Sequence, residues 1–298
     1  MTARTRGLSP GAGMLLLTVI WGGNFTAVKL AFTQLDPLAF TAMRFALASV
    51  LLWVIVDRTE GKAPLPPGTF WPLVCLGVIG NSLYQLGFVL GLARTSATKS
   101  SLILAGMPAL VTLAAWALRI ERVSLLQRIG VLVATVGVVV VLLAHGDSVS
   151  ARIGTGEWLL LAANVAWAVY TLLLRHWSIP MSPLRITAWV TYTGTPLLVL
   201  IGIPSLMHTD WSRVSLAGWG GMLYAAVLSL GVAYVLWNRG VALLGASRTV
   251  VYNTLVPLAA TIFAMLALHE RPSLLHLAGG ALIIAGVLVT ARPMAPEG

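Results

Sequence analysis

Several side chains able to hydrogen-bond or stack on a small molecule lie inside long apolar runs, spaced as a helix would present them. Asn81, Tyr84, Gln85 and Phe88 follow the i, i+3, i+4, i+7 pattern that lines one helix face. Tyr234, Trp237 and Asn238 share a second face, Trp21 and Asn24 a third, and Asn164, Trp167 and Tyr170 a fourth. Tyr252 and Asn253 sit about one turn before Pro257. Amides, phenols and indoles recognise by hydrogen bonding and ring stacking; they do not supply a nucleophile or a strong base. The candidate substrate-binding set is therefore Trp21, Asn24, Tyr84, Gln85, Trp167, Tyr170, Tyr234 and Tyr252. Each also has a plainer reading as an interhelical hydrogen bond or, for tryptophans near a span end, part of an interfacial belt. Asn81 and Asn238 fit that plainer reading better.

Charged groups are scarce in the same runs. Asp36, Glu121, Glu157 and Glu270 all fall at the ends of runs. A carrier that trades protons for organic cations needs a buried carboxylate, so the pattern favours a neutral or zwitterionic substrate. Lys29 and Arg175 lie near the ends of their runs, where a long cationic side chain reaches the headgroups. Arg44 lies deeper and is the better candidate for a buried cation. The five histidines are dispersed, no residues have metal-ligand spacing, and no phosphate-cradling glycine loop occurs, so no catalytic group, metal or cofactor is expected. An intramembrane enzyme would need a polar pair within the runs, and none is found. A channel would have no need of two mirrored halves.

The elements that must hold these residues follow from composition. Hydrophobic residues make up 58% of the chain and charged residues 9%, with a mean hydropathy of +0.91. A soluble domain carries roughly 25% charged residues, so the solvent is lipid. Ten apolar stretches can each cross ~30 Å of hydrocarbon as a helix. They fall at 12–33, 38–56, 70–91, 97–118, 125–144, 156–175, 184–203, 216–238, 246–268 and 274–291, joined by short polar turns. The first continues through Gly22-Gly23-Asn24 without a convincing cleavage site and is expected to be a retained span. The net charge of +10 needs no nucleic-acid partner. With the N-terminus inside, Arg4, Arg6, Arg58, Lys62, Arg119, Arg122, Arg128, Arg175, Arg185, Arg239, Arg248 and Arg292 lie on the cytoplasmic side. Only Arg94, Lys99, Arg152, Arg213 and Arg271 lie opposite, so both termini are expected in the cytoplasm.

The chain is also a duplication. Residues 97–141 match residues 246–290 at a constant offset of 149, through Pro108 and Pro257, Glu121-Arg122 and Glu270-Arg271, Gly130 and Gly279, and Gly137 and Gly286. The front of each half matches at offset 146, with Trp21 on Trp167, Lys29 on Arg175 and Pro37 on Pro183. The halves are expected to be 1–147 and 148–298. Five spans is an odd number, so the second half enters the membrane from the opposite side. Inverted repeats of this kind place a substrate site between the halves near the midplane. Pro108 and Pro257, central in spans 4 and 9, are candidate hinges, or else static kinks. Spans 5 and 10, rich in glycine (Gly130, Gly137, Gly279, Gly280, Gly286), read as packing elements with a face available for a dimer; a monomer is the expected state.

Trp21-Gly22-Gly23-Asn24-Phe25, the two prolines, and Leu268-His269-Glu270-Arg271 followed by Gly279-Gly280 resemble the EamA-type repeats of the drug/metabolite transporter superfamily. The layout is most similar to its YddG-type amino-acid exporters. The resemblance implies an all-α membrane protein of ten transmembrane helices in two inverted five-helix repeats, in the bacterial inner membrane. It also implies a central cavity and export of amino acids or related metabolites, with multidrug or other metabolite export as the alternative.

Overall fold

The computed structural model describes residues 8–117, 124–145, 148–149, 153–244, 249 and 252–290. Glu121 and seven cations of the orientation argument (Arg4, Arg6, Arg119, Arg122, Arg152, Arg248 and Arg292) lie outside them. The fold is all-helical. Its ten spans are span 1 (Pro10–Ala31), span 2 (Pro37–Thr59), span 3 (Phe70–Ala93), span 4 (Ala97–Leu104 and Met107–Ala117) and span 5 (Leu125–Leu143). The second half holds span 6 (Thr155–Trp177), span 7 (Pro183–His208), span 8 (Leu216–Leu244), span 9 (Tyr252–Ala267) and span 10 (Leu274–Thr290). Seven of the helices are long and apolar enough to cross a bilayer, and spans 4, 9 and 10 are shorter apolar helices. The one regular element other than helix among the described residues is a two-residue ladder, β1 (Ala144–His145) against β2 (Ser148–Val149).

Local chemistry sets the span ends. Asp36 accepts from Leu38 N at 2.8 Å, Ser96 from Lys99 N at 3.0 Å and Ser182 from Arg185 N at 3.1 Å. Each satisfies a first-turn N–H that has no intrahelical partner. Pro10, Pro37 and Pro183 occupy the first helical position, where a missing N–H costs nothing. Ser124 and Gln127 close a capping box on span 5. Span 7 runs past the turn expected at Pro204 and stays helical to His208, with Pro196 and Pro204 inside it.

Large apolar side chains cover the outer faces of the bundle: Leu132, Leu200, Leu266 and Leu216 are 64–91% exposed. Such a surface is stable only against lipid, and the chain is a multi-pass membrane protein. Inside, span 5 packs on span 10 and span 2 on span 7. A methyl on Gly137 would come within 2.7 Å of the Gly279 carbonyl, and one on Gly286 within 2.6 Å of the Gly130 carbonyl. These four glycines therefore permit backbone contact between the two halves of one chain. Their glycine face is used inside the chain, as the packing reading of these spans expects.

Three contacts join a residue to its own repeat equivalent. The Trp21 and Trp167 rings meet edge to face with centroids 5.7 Å apart. Ser49 and Thr195 share a hydrogen bond of 2.9 Å, and Gln85 Nε2 donates to the Tyr234 hydroxyl at 3.0 Å. A residue can touch its own counterpart only beside the axis that relates the halves, so these contacts trace a pseudo-twofold axis through the molecule.

Candidate functional site

Spans 3 and 8 each change winding where they approach that axis. Gly77–Leu83 and Tyr224–Ala233 are π-helical, at equivalent places in the two halves. A π segment frees carbonyls for other donors and is frequent at functional sites. Trp21 Nε1 takes up one of them, donating to the Ser229 carbonyl at 3.3 Å. Directly after each segment come Tyr84 and Gln85 on span 3 and Tyr234 on span 8, and Gln85 meets Tyr234 there. Nothing in the residue pattern announced these segments, because a π turn has no sequence period of its own over so short a stretch.

Spans 4 and 9 break at the same level. Span 4 stops at Leu104 and restarts at Met107, and span 9 passes from a 3₁₀ turn (Tyr252–Leu255) into α-helix at Val256. Pro108 and Pro257 each sit second in the helix that starts there. The expected mid-helix kinks are thus helix starts, where proline fits without displacing a hydrogen bond. Side chains reach the carbonyls at these places from equivalent positions. Asn164 Nδ2 donates to the Ile103 carbonyl at 2.8 Å, and the hydroxyl of Thr18, the repeat equivalent of Asn164, lies 3.2 Å from the Tyr252 carbonyl and 3.0 Å from that of Met14, which share its proton.

Between the π segments and the breaks lies a cavity of about 60 Å³. At ~10–15 Å³ per water centre it has room for a few waters. Its wall carries the rings of Trp21, Phe25, Tyr84, Phe88, Trp167 and Tyr234, with Asn24, Gln85, Ser101, Asn164, Ser229 and Asn253 between them. Trp167 is the hub: its ring centroid lies 4.7 Å from Tyr84, 5.4 Å from Tyr234 and 5.7 Å from Trp21. The side-chain oxygens of Asn24 and Asn253 are buried without a donor.

Trp21, Asn24, Tyr84, Gln85, Trp167 and Tyr234 of the sequence-derived set come together around this cavity. Tyr170 and Tyr252 do not line it. Tyr170 is fully buried behind Trp167 and donates to Asn238 Oδ1 at 3.0 Å. The backbone of Tyr252 accepts from Thr18, and its hydroxyl lies beside Gly11. Asn81 and Asn238 take up structural bonds, to the Val190 carbonyl at 3.1 Å and to Thr187 Oγ1 at 2.7 Å. Lys29 departs from the expectation of snorkelling. Its Nζ donates to the carbonyl of Leu92, in the last turn of span 3, and to that of Thr95, in the turn just beyond, at 2.8 and 2.6 Å; carbonyls at a helix C-terminus carry partial negative charge and attract a cation within reach. Arg175, its equivalent, is exposed.

The same end of the bundle holds two further polar contacts. Glu270 accepts from the N–H groups of Ala97 and Thr98 at 2.8 and 3.0 Å, and so caps span 4 from the opposite half. Lys99 pairs with Glu157 at 2.8 Å in a buried ion pair and also donates to the Ala144 carbonyl at 3.2 Å.

The arrangement contains both marks of a membrane carrier: broken helices facing a cavity, and two halves related by pseudosymmetry. Comparison with known proteins decides the family. The model of the EamA-like transporter family matches residues 10–143 and again 154–292. The chain belongs to the EamA-like transporter family. That family lies within the drug/metabolite transporter superfamily. Among its relatives, an uncharacterized transporter of Archaeoglobus fulgidus is 30% identical over 93% of this chain and 95% of its own length. The uncharacterized transporter YyaM of Bacillus subtilis is 27% identical over 92% and 91%. A probable terminal-alkyne amino-acid exporter of Streptantibioticus cattleyicolor is 29% identical over 96% and 94%. A solved crystal structure, 19% identical and matched over 94% of this chain and 96% of that one, superposes with a TM-score of 0.66 and shares the fold.

Proposed function

We propose that this EamA-family protein is a secondary transporter that exports small neutral or zwitterionic metabolites, above all amino acids with aromatic or other apolar side chains. In this reading it is most like a YddG-type exporter. Residues 1–147 and 148–298 form inverted repeats in the bacterial inner membrane with both termini cytoplasmic, and they alternate access around the central cavity.

One observation carries the reading: the polar and aromatic residues of both halves converge beside the pseudo-twofold axis on a single cavity, next to the two broken helices. A site on the axis faces either mouth by the same movement of equivalent elements. Its wall of rings and amides suits an apolar side chain together with a compact polar group. The Streptantibioticus relative, whose name assigns it an amino-acid derivative, adds support.

Proteoliposome flux tests it. Purified protein should carry labelled phenylalanine, tryptophan or leucine in preference to lysine and glutamate, with flux that saturates and that unlabelled substrate on the opposite side accelerates. Absence of flux for every amino acid in such a panel would overturn the substrate class, and non-saturating flux would overturn the carrier mechanism.

A further inference from the structure

Arg44 is 1% exposed in the interior of span 2, and no carboxylate pairs with it among the described residues. The rings of Phe40 and Phe45 lie beside its guanidinium, 5.1 and 5.6 Å from their centroids. They stabilise the cation in part. Among the described residues an Nη donates to Gln85 Oε1 and the Nε has no acceptor. A buried cation without a counter-ion is costly, and within a membrane it marks a functional position. The fold does not require it: the repeat-equivalent residue on span 7, at offset 146, is the fully buried Val190.

The direction of the hydrogen bonds assigns Arg44 its part. A guanidinium can only donate, so Gln85 must present its oxygen to Arg44 and its NH₂ to Tyr234. The Tyr234 oxygen is thereby an acceptor, and its own O–H proton has no acceptor among the described residues. Both Gln85 and Tyr234 line the cavity. The result is a donor facing the cavity with a positive charge two bonds behind it, in surroundings of low dielectric where that charge is felt strongly. The same cavity carries the opposite character elsewhere, in the donor-free buried oxygens of Asn24 and Asn253.

We infer that Arg44, acting through Gln85 and Tyr234, is the positioning residue for a substrate carboxylate, and that Asn24 and Asn253 receive its ammonium group. The inference rests on the cavity being the transport site. It narrows the neutral-or-zwitterionic class to zwitterions whose carboxylate supplies the counter-charge that the protein withholds.

The test is calorimetric titration of the purified protein with four probes that share one phenyl ring: phenylalanine, phenylalaninamide, 2-phenylethylamine and 3-phenylpropionate. Phenylalanine should bind at least tenfold more tightly than the amide and the amine, and 3-phenylpropionate should fall between. Arg44→Gln should reduce that preference to less than threefold, Arg44→Lys should recover part of it, and Asn24→Ala should narrow the gap between phenylalanine and 3-phenylpropionate. Amide and amine bound within threefold of phenylalanine by the unaltered protein would overturn the inference and leave the transporter reading standing. An undiminished preference in a folded Arg44→Gln variant would do the same. Failure of all four probes to bind would overturn the amino-acid reading itself, and this inference with it. Should Arg44→Gln not fold, the ligand series on the unaltered protein still decides.

Discussion

At the scale of residues, burial separates side chains that the sequence pattern treats alike. Tyr84 and Tyr170 are both phenols on apolar spans near Trp167. Tyr84 lines the cavity, whereas Tyr170 fills the space behind it and bonds Asn238, which in turn bonds Thr187. Tyr84→Ala should lower flux of aromatic amino acids at least tenfold while the protein still elutes as a monodisperse peak; unchanged flux with Trp167→Ala as well would remove the aromatic-cavity reading. Tyr170→Phe should behave oppositely. Losing a buried hydrogen bond leaves Asn238 Oδ1 without its donor and costs about 1–3 kcal/mol. A lowered melting temperature with an unaltered substrate preference is the expected pair of results.

At the scale of elements, movement is expected where helices are already interrupted. The winding of spans 4 and 9 already departs from regular α-helix at Leu104–Met107 and at Leu255, where side chains of Asn164 and Thr18 bond the backbone. Pro108 and Pro257 fix the start of each second segment. Replacing such a proline by alanine loosens it by about 1 kcal/mol, a roughly fivefold change between two states. Because the halves are inverted in the proposed mechanism, Pro108→Ala and Pro257→Ala should bias access in opposite directions. Labelling rates of Thr95→Cys and Leu244→Cys, near the two mouths, report the bias. A shift of both variants in one direction would mean that these prolines are static.

At the scale of the whole molecule, charged side chains tie spans together at both ends of the bundle. At one end Lys29 ties span 1 to the end of span 3, Glu270 ties the end of span 9 to span 4, and Lys99 ties span 4 to span 6; at the other, Arg185 pairs with Glu60 at 2.9 Å and ties span 7 to the end of span 2. Arg175, the counterpart of Lys29, is exposed, and Gly11 stands where the repeat would place a counterpart of Glu157. Glu121 and Arg248, the counterparts of Glu270 and Lys99, lie outside the described residues. Because Glu270 caps span 4 from the opposite half, Glu270→Gln should raise the labelling rate of Thr95→Cys several-fold. Orientation is a separate question, answered by a cysteine at position 148 in a Cys75-free background. Reagent confined to the cell exterior should label it in intact cells; labelling only after permeabilisation would reverse the assignment of both termini.

The lipid solvent, ten spans and a duplication were determined by the sequence alone. Each rests on composition or on local chemistry that needs no knowledge of neighbours. The glycines of spans 5 and 10 announced close packing, but only the tertiary structure showed that they pack on each other within one chain. It also decided that Tyr170 and Tyr252 do not line the cavity, that the prolines stand second in their α-helical segments, that Lys29 bonds the end of span 3 and that Arg44 has no carboxylate beside it among the described residues. The reason is physical. In a soluble protein the polar face of a helix contrasts with its apolar face and points to water. In a bilayer the lipid is as apolar as the protein interior, so helical spacing shows which residues share a face but not what that face meets. The meeting partner is set by packing across the pseudo-twofold axis, between residues about 146 or 149 positions apart.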